Sequence, residues 1–154
     1  MEKNGMLHLY MGNGKGKTTA AAGLAVRALG HGFSVLFAQF LKNTQTGEKK
    51  ILEGFGDRLL FFRPTQRHSA FLWDMTDEQL AETKEDVRLG WEWLKQQMQT
   101  GLWNLVVLDE ILDCIQCDLL PEEDILKTVA GRPGKVEIVL TGRNASQAFC
   151  DLAD

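Results

Sequence analysis

The chain has 154 residues, 44% of them hydrophobic and 25% charged, with a formal net charge of −4. That length suits one domain with a real core and is short for two. The acidic balance and the lack of clustered basic segments give no electrostatic reason to expect nucleic acid. No apolar run approaches the roughly 18 residues of a membrane helix, so no membrane partner is expected. The polar start "MEKNG" runs straight into a strand-like segment and is not expected to be a signal peptide. Three cysteines do not suggest a disulfide framework, and a reducing, cytoplasmic setting is the expectation.

In chain order, "MLHLYM" (Met6–Met11) reads as a strand, followed by a glycine-rich loop and an Ala-rich helix that should stop at Gly30 and Gly32. Further strands are expected at Ser34–Phe40, Arg58–Pro64, Asn104–Glu110 and Lys135–Gly142. Most are continuously apolar, the pattern of a parallel sheet covered on both faces. A long helix is expected from Thr76 to Thr100. Thr76 and Gln79 have capping-box spacing, and Val87, Trp91, Leu94 and Met98 share one face, which turns Trp93 elsewhere. Leu120-Pro121-Glu122-Glu123 opens another helix, and the closing "FCDLAD" lies within one more. This alternation predicts an α/β fold over residues 1–154: a P-loop NTPase-like three-layer sandwich with a mainly parallel central sheet.

The loop "GNGKGKTT" carries the first chemistry. A phosphate-binding loop usually runs Gly, four residues, Gly-Lys-Thr, yet here position 11 is Met and the glycines are Gly12, Gly14 and Gly16. It still follows a strand and opens a helix. Glycines let backbone N–H groups turn toward an anion, and the helix dipole favours negative charge at the same place. Lys17 then reaches a phosphate and the Thr18 hydroxyl reaches Mg²⁺. "NLVVLDE" supplies Asp109 and Glu110 at the end of a buried strand, where carboxylates would hold the metal. "LTGRNAS" puts Arg143 at the same edge of the sheet, either as a phosphate contact or as an ordinary surface arginine. These residues predict a Mg·ATP site without naming a reaction.

Taken together, "GNGKGKTTAAAGLAVRALGHG", "QFLKNTQTGE", "FLWD", "VVLDEI" with "DLLPEED", and "LTGRNAS" resemble the P-loop type of ATP:corrinoid adenosyltransferase, in family order from about Gly12 onward. The displaced glycine is itself the family's form of the loop. The resemblance implies that Co(I) of a corrinoid, cob(I)alamin or a precursor, attacks the 5′ carbon of ATP and that triphosphate leaves. It implies that Lys17 and Glu110 serve catalysis, with Thr18, Asp109 and Glu110 toward Mg²⁺. Gly12, Asn13, Gly14, Lys15, Gly16, Lys17, Thr18, Thr19 and Arg143 would contact ATP. Phe71 and Trp73 would wall off one face of the corrinoid, although large aromatics also commonly plug cores. A reducing flavoprotein and a homodimer are implied as well. Arg27, Gln39, Lys42 and Glu48 match family positions without a settled role. Many relatives have an N-terminal extension that helps cover the site and typically continue further at the C-terminus. This chain reads either as a short member or as an incomplete one, with closure of the site open in both cases. The alternatives are a P-loop phosphotransferase such as a nucleoside kinase, and a carrier that binds ATP or corrinoid without turnover. Cys114 and Cys117 form a CxxC that lacks the second pair a zinc site needs. His8, His31 and His68 are scattered, with His68 near enough to Phe71 in sequence to approach a corrinoid.

Overall fold

The computed structural model describes residues 4–68 and 70–154. Residues 1–3, the opening of the polar start, and Ser69, at the head of the "SAFLWD" segment, lie outside the described residues. Five strands form one all-parallel sheet: β1 (Leu7–Met11), β2 (Val35–Gln39), β3 (Leu59–Phe62), β4 (Leu105–Asp109) and β5 (Glu137–Gly142), in the spatial order β1-β5-β4-β2-β3. The registers pair Met11 with Gly142 and Gln39 with Asp109, so the ends of these strands finish level.

Alternation within the buried strands divides the core in two. Val35 and Phe37 of β2, with Leu105 and Val107 of β4, face α1 (Lys17–Gly30), which meets them with Ala21, Ala25, Ala28 and Leu29. The small alanines let this helix approach the sheet closely. Leu36, Ala38, Val106 and Leu108 point the other way. There they meet Val87, Trp91, Leu94 and Met98 of α3 (Asp77–Gln99), along with α4 (Ile111–Gln116), α5 (Glu122–Ala130) and α6 (Gln147–Leu152). Each large side chain buried in this way contributes about 1.5–3 kcal/mol.

The expected start of α3 is present: the Gln79 N–H donates to Thr76 Oγ1 at 3.2 Å, and the Thr76 N–H donates to Gln79 Oε1 at 3.0 Å. Trp93 departs from the expectation. It is partly buried, 4.6 Å from the Phe62 ring, because β3 sits at the sheet edge and offers its own apolar side to α3. The sequence reading also left out α2 (Gly47–Leu52) and the 3-10 segment after it, Glu53–Arg58. Strand β3 is shorter than expected, and Arg58 and Arg63 both fall outside it.

Candidate active site

The loop after β1 turns where its glycines permit. Gly12 and Gly16 have φ of 140° and 102°, values that side chains disfavour. Gly16 caps α1, and the helix begins at Lys17. The Lys17 ammonium folds over its own loop and donates to the carbonyls of Gly12 at 2.6 Å and Gly14 at 2.8 Å. It thereby holds the loop closed around a cationic centre.

A cleft of about 270 Å³ opens beside this loop. Of the expected residues, Asn13, Gly14, Gly16, Lys17, Thr18, Thr19, Glu110 and Arg143 line it, joined by Asp113 and Thr141. Gly12 lies behind Lys17, and Lys15 is exposed to solvent beyond the lining. Asp109 sits beneath the floor, fully buried. Arg143 is exposed, and its backbone N–H donates to Asp113 Oδ1 at 3.1 Å.

A buried carboxylate must be hydrogen-bonded or it neutralises. Asp109 receives the Thr141 hydroxyl at 2.7 Å, the Thr18 hydroxyl at 3.0 Å and the Gln39 carboxamide N–H at 3.0 Å. Gln39 is itself fixed. Arg63, 5% exposed, donates to Gln39 Oε1 through Nε at 2.9 Å and Nη2 at 2.6 Å. With its oxygen so engaged, Gln39 turns Nε2 toward Asp109 and also toward Glu48, at 3.0 Å. Arg63 continues to the Thr44 carbonyl at 2.5 Å and the Thr46 hydroxyl at 3.0 Å, pinning the chain between β2 and α2.

Glu110 has a left-handed backbone, φ 63°, at the turn from β4 into α4, and its N–H donates to Thr141 Oγ1 at 2.8 Å. Burial raises the pKa of its carboxyl, an effect that Lys42 opposes. The Lys42 ammonium stands 3.3 Å from Glu110, 3.7 Å from Asp109 and 4.0 Å from Glu48.

Thr18, Asp109 and Glu110 offer hard oxygen donors only, the set that Mg²⁺ prefers. Among the described residues, no group of three or more His, Cys, Asp or Glu is arranged to hold a metal. A cation here would therefore complete its shell with oxygens from substrate or water, the usual arrangement for Mg²⁺ at phosphates.

Phe71 and Trp73 are not core plugs. They are 65% and 79% exposed and stack on each other with centroids 4.6 Å apart and planes 4° from parallel. Phe71 caps and Trp73 lies within a short 3-10 turn, Leu72–Asp74, in the connection that leaves the carboxyl end of β3. That connection is tied to α3 by Arg67, which donates to Asp86 at 2.6 Å and 2.9 Å, and by His68, 2.7 Å from Glu82. His68 is thus occupied by a carboxylate on α3. His8 lies 2.6 Å from Glu137, and His31 is exposed in its turn. Arg27 is exposed on α1.

The CxxC is divided between core and surface. Cys114 is fully buried in α4, and burial raises its thiol pKa well above the ordinary value. Cys117 is exposed, also with a raised pKa through burial of its sulfur and nearby carboxylates. Protonated thiols are poor nucleophiles and poor metal ligands. All three cysteines are free.

Sequence reasoning passed over Thr141, Arg63 and Asp113. Thr141 did carry a signal, since it immediately precedes Gly142-Arg143 in the quoted "LTGR". Arg63 falls within the strand expected at Arg58–Pro64, and nothing in that run signals a buried guanidinium.

Among the described residues no helix is long and apolar enough to cross a membrane. Comparison with known proteins gives a consistent answer. The family model for "ATP:corrinoid adenosyltransferase BtuR/CobO/CobP" matches residues 3–154. The chain is 36% identical to corrinoid adenosyltransferase CobA of Salmonella typhimurium, over 99% of this chain and 75% of that protein. It is 34% identical to the corrinoid adenosyltransferase of Escherichia coli, with the same coverage. The corresponding values for the Pseudomonas aeruginosa enzyme are 31% identity, 99% of this chain and 73% of that protein. With a loop that encloses its own lysine and a hydrogen-bonded acid behind it, the chain belongs to the ATP:corrinoid adenosyltransferase family.

Proposed function

We propose that this chain transfers the 5′-deoxyadenosyl group of ATP to the cobalt of a reduced corrinoid, in adenosylcobalamin synthesis. The Co(I) electron pair forms the Co–C5′ bond. The C5′–O bond breaks, and its electrons leave on the triphosphate oxygen. The observation that carries the reading, beyond family membership, is the stacked, solvent-facing Phe71–Trp73 pair in the connection that leaves β3. Such a pair provides a flat apolar surface for one face of a macrocycle.

The loop N–H groups and the start of α1 would bind the triphosphate, with Asn13, Lys15, Thr19 and Arg143 around it. Lys17 would exchange its loop carbonyls for phosphate oxygens and stabilise the charge that grows on the leaving group. Thr18, Asp109 and Glu110 would hold Mg²⁺. When bound, that ion neutralises the triphosphate as a leaving group. Phe71 and Trp73 would exclude an axial ligand from cobalt, which eases its reduction; the hard chemistry belongs to the corrinoid. The proposal also covers residues 1–154 acting as one domain, a reducing flavoprotein as electron donor, a homodimer and a cytoplasmic location.

An anaerobic mixture of protein, Mg·ATP and chemically reduced cob(I)alamin tests it. The expected result is loss of the Co(I) absorption band, a light-sensitive alkylcobalamin spectrum and one triphosphate per cobalt. Cleavage of ATP to ADP would point to a phosphotransferase, and an unchanged Co(I) spectrum with ATP still bound would point to a carrier. Either result would overturn the proposal.

A further inference from the structure

The place where a divalent cation would sit already holds a charge. Lys42 follows β2 by three residues, and Leu41 before it has a left-handed backbone, φ 59°, that turns the chain back over the sheet end. Its ammonium lies 3.4 Å from Thr18 Oγ1, 3.3 Å from Glu110, 3.7 Å from Asp109 and 4.0 Å from Glu48. Three of these four groups are the ones assigned above to the metal. Arg63, the next cation, is directed away, onto Gln39, Thr44 and Thr46.

From this geometry we propose that Lys42 is a tethered counter-cation, exchanged for the divalent ion when the metal–nucleotide complex binds. The inference rests on the reading of Thr18, Asp109 and Glu110 as the metal-facing residues. Asp109 is fully buried and cannot lean on bulk water for compensation. Its three hydrogen bonds steady it, and the Lys42 ammonium balances its charge together with that of Glu110. A divalent ion bound to the same oxygens at about 2.1 Å would lie within a few ångströms of that ammonium. At such a separation two cations repel strongly in a partly dry site. Lys42 must therefore withdraw, and its flexible stem carries a compact charge able to follow the incoming triphosphate. Metal without nucleotide gains the carboxylates but forces the ammonium out with no new partner. Metal with triphosphate supplies that partner. Lys42 thus makes metal entry conditional on ATP.

Titration of the nucleotide-free protein with Mn²⁺, followed by electron paramagnetic resonance, reads this directly and needs no turnover. The wild type should bind Mn²⁺ weakly, and Lys42→Met should bind about tenfold more tightly or better. Lys42→Arg, which keeps the charge, should stay weak. Lys42→Gln replaces the Met variant should that one fail to fold. Micromolar Mn²⁺ binding by the nucleotide-free wild type would overturn the proposal, as would equal affinity of wild type and the neutral variant. Asp109→Asn separates two kinds of failure. If it abolishes ATP-dependent Mn²⁺ binding while the neutral Lys42 variant gains nothing, only the counter-cation role falls. If it changes Mn²⁺ binding in no state, the assignment of the metal residues falls with it.

Discussion

Replacing Arg63 by Met keeps most of the side-chain volume and removes a buried charge with four hydrogen bonds. Two effects oppose each other. Burial already lowers the guanidinium pKa against the pull of Glu48, Glu53, Asp109 and Glu110, so deleting the charge recovers some desolvation. Against that, Gln39 Oε1 loses both of its donors in a fully buried position, and the Thr44 carbonyl loses one. Each acceptor left unmet costs about 1–3 kcal/mol. The net should be a destabilisation of about 3 kcal/mol, or ~6–12 °C in Tm for a chain of this size. Function should suffer separately, because a Gln39 amide freed from Arg63 can present its oxygen to Asp109. Arg63→Lys retains a charge but not the fork, and should fall between wild type and Met. The assay is urea unfolding beside equilibrium binding of ATP with Mg²⁺. A Met variant within about 0.5 kcal/mol of wild type, with unchanged ATP affinity, would refute the claim that Arg63 sets the orientation of Gln39.

Phe71→Ala and Trp73→Ala should leave Tm within ~2 °C of wild type, since both rings are mostly in water. Corrinoid affinity, read by absorbance titration, should fall about tenfold or more with ATP affinity unchanged. Arg143→Ala should weaken ATP binding about tenfold, a loss of one charge-assisted contact, with stability altered by less than about 0.5 kcal/mol. Asp124 gives a pH test away from the site. Burial would raise its pKa, but hydrogen bonds from Lys95 at 2.9 Å and Trp91 at 2.7 Å outweigh this and lower it below 3.8. A carboxyl depressed in the folded state stabilises above the unfolded pKa and loses that contribution as pH falls through the folded one. Asp124→Asn should therefore cost about 1 kcal/mol at pH 7, discounted for its partial exposure, and the difference should shrink below pH ~4. A difference independent of pH in denaturation curves would contradict this account.

Much of the fold was legible because local rules and tertiary packing agree. Apolar runs, most of them continuous, marked the five strands, and Thr76 with Gln79 marked the start of α3. The Gly47–Arg58 segment lacked a long apolar period, so its short helical pieces left no mark. In the site, the loop and Asp109-Glu110 were legible because each is a contiguous string next to a strand end. Phe71 and Trp73 could be read two ways, since an aromatic's sequence context does not reveal which side of it meets water. Only the structure shows both rings exposed.

What no contiguous string could reveal is the order in which the strands stand. In space β5, β4 and β2 are successive neighbours, and Arg63 follows the next strand, β3. Along that line Thr141 donates to Asp109, Gln39 donates to Asp109, and Arg63 donates to Gln39. Each strand end thus contributes one polar residue to its neighbour, and Thr18, in the first turn of α1, donates to the Asp109 at the centre of the row. In the sequence these residues lie at 18, 39, 63, 109 and 141, separated by whole helices. Because β5 stands between β1 and β4, Thr141 falls between the loop strand and the acid strand, and its hydroxyl also accepts the Glu110 N–H. A Thr141→Val exchange preserves shape and removes that hydroxyl alone. It should leave Asp109 Oδ1 without its 2.7 Å donor and weaken Mg-dependent ATP binding more than Mg-free binding, by about tenfold. Equal weakening with and without Mg²⁺ would mean that Thr141 supports the loop rather than the acid.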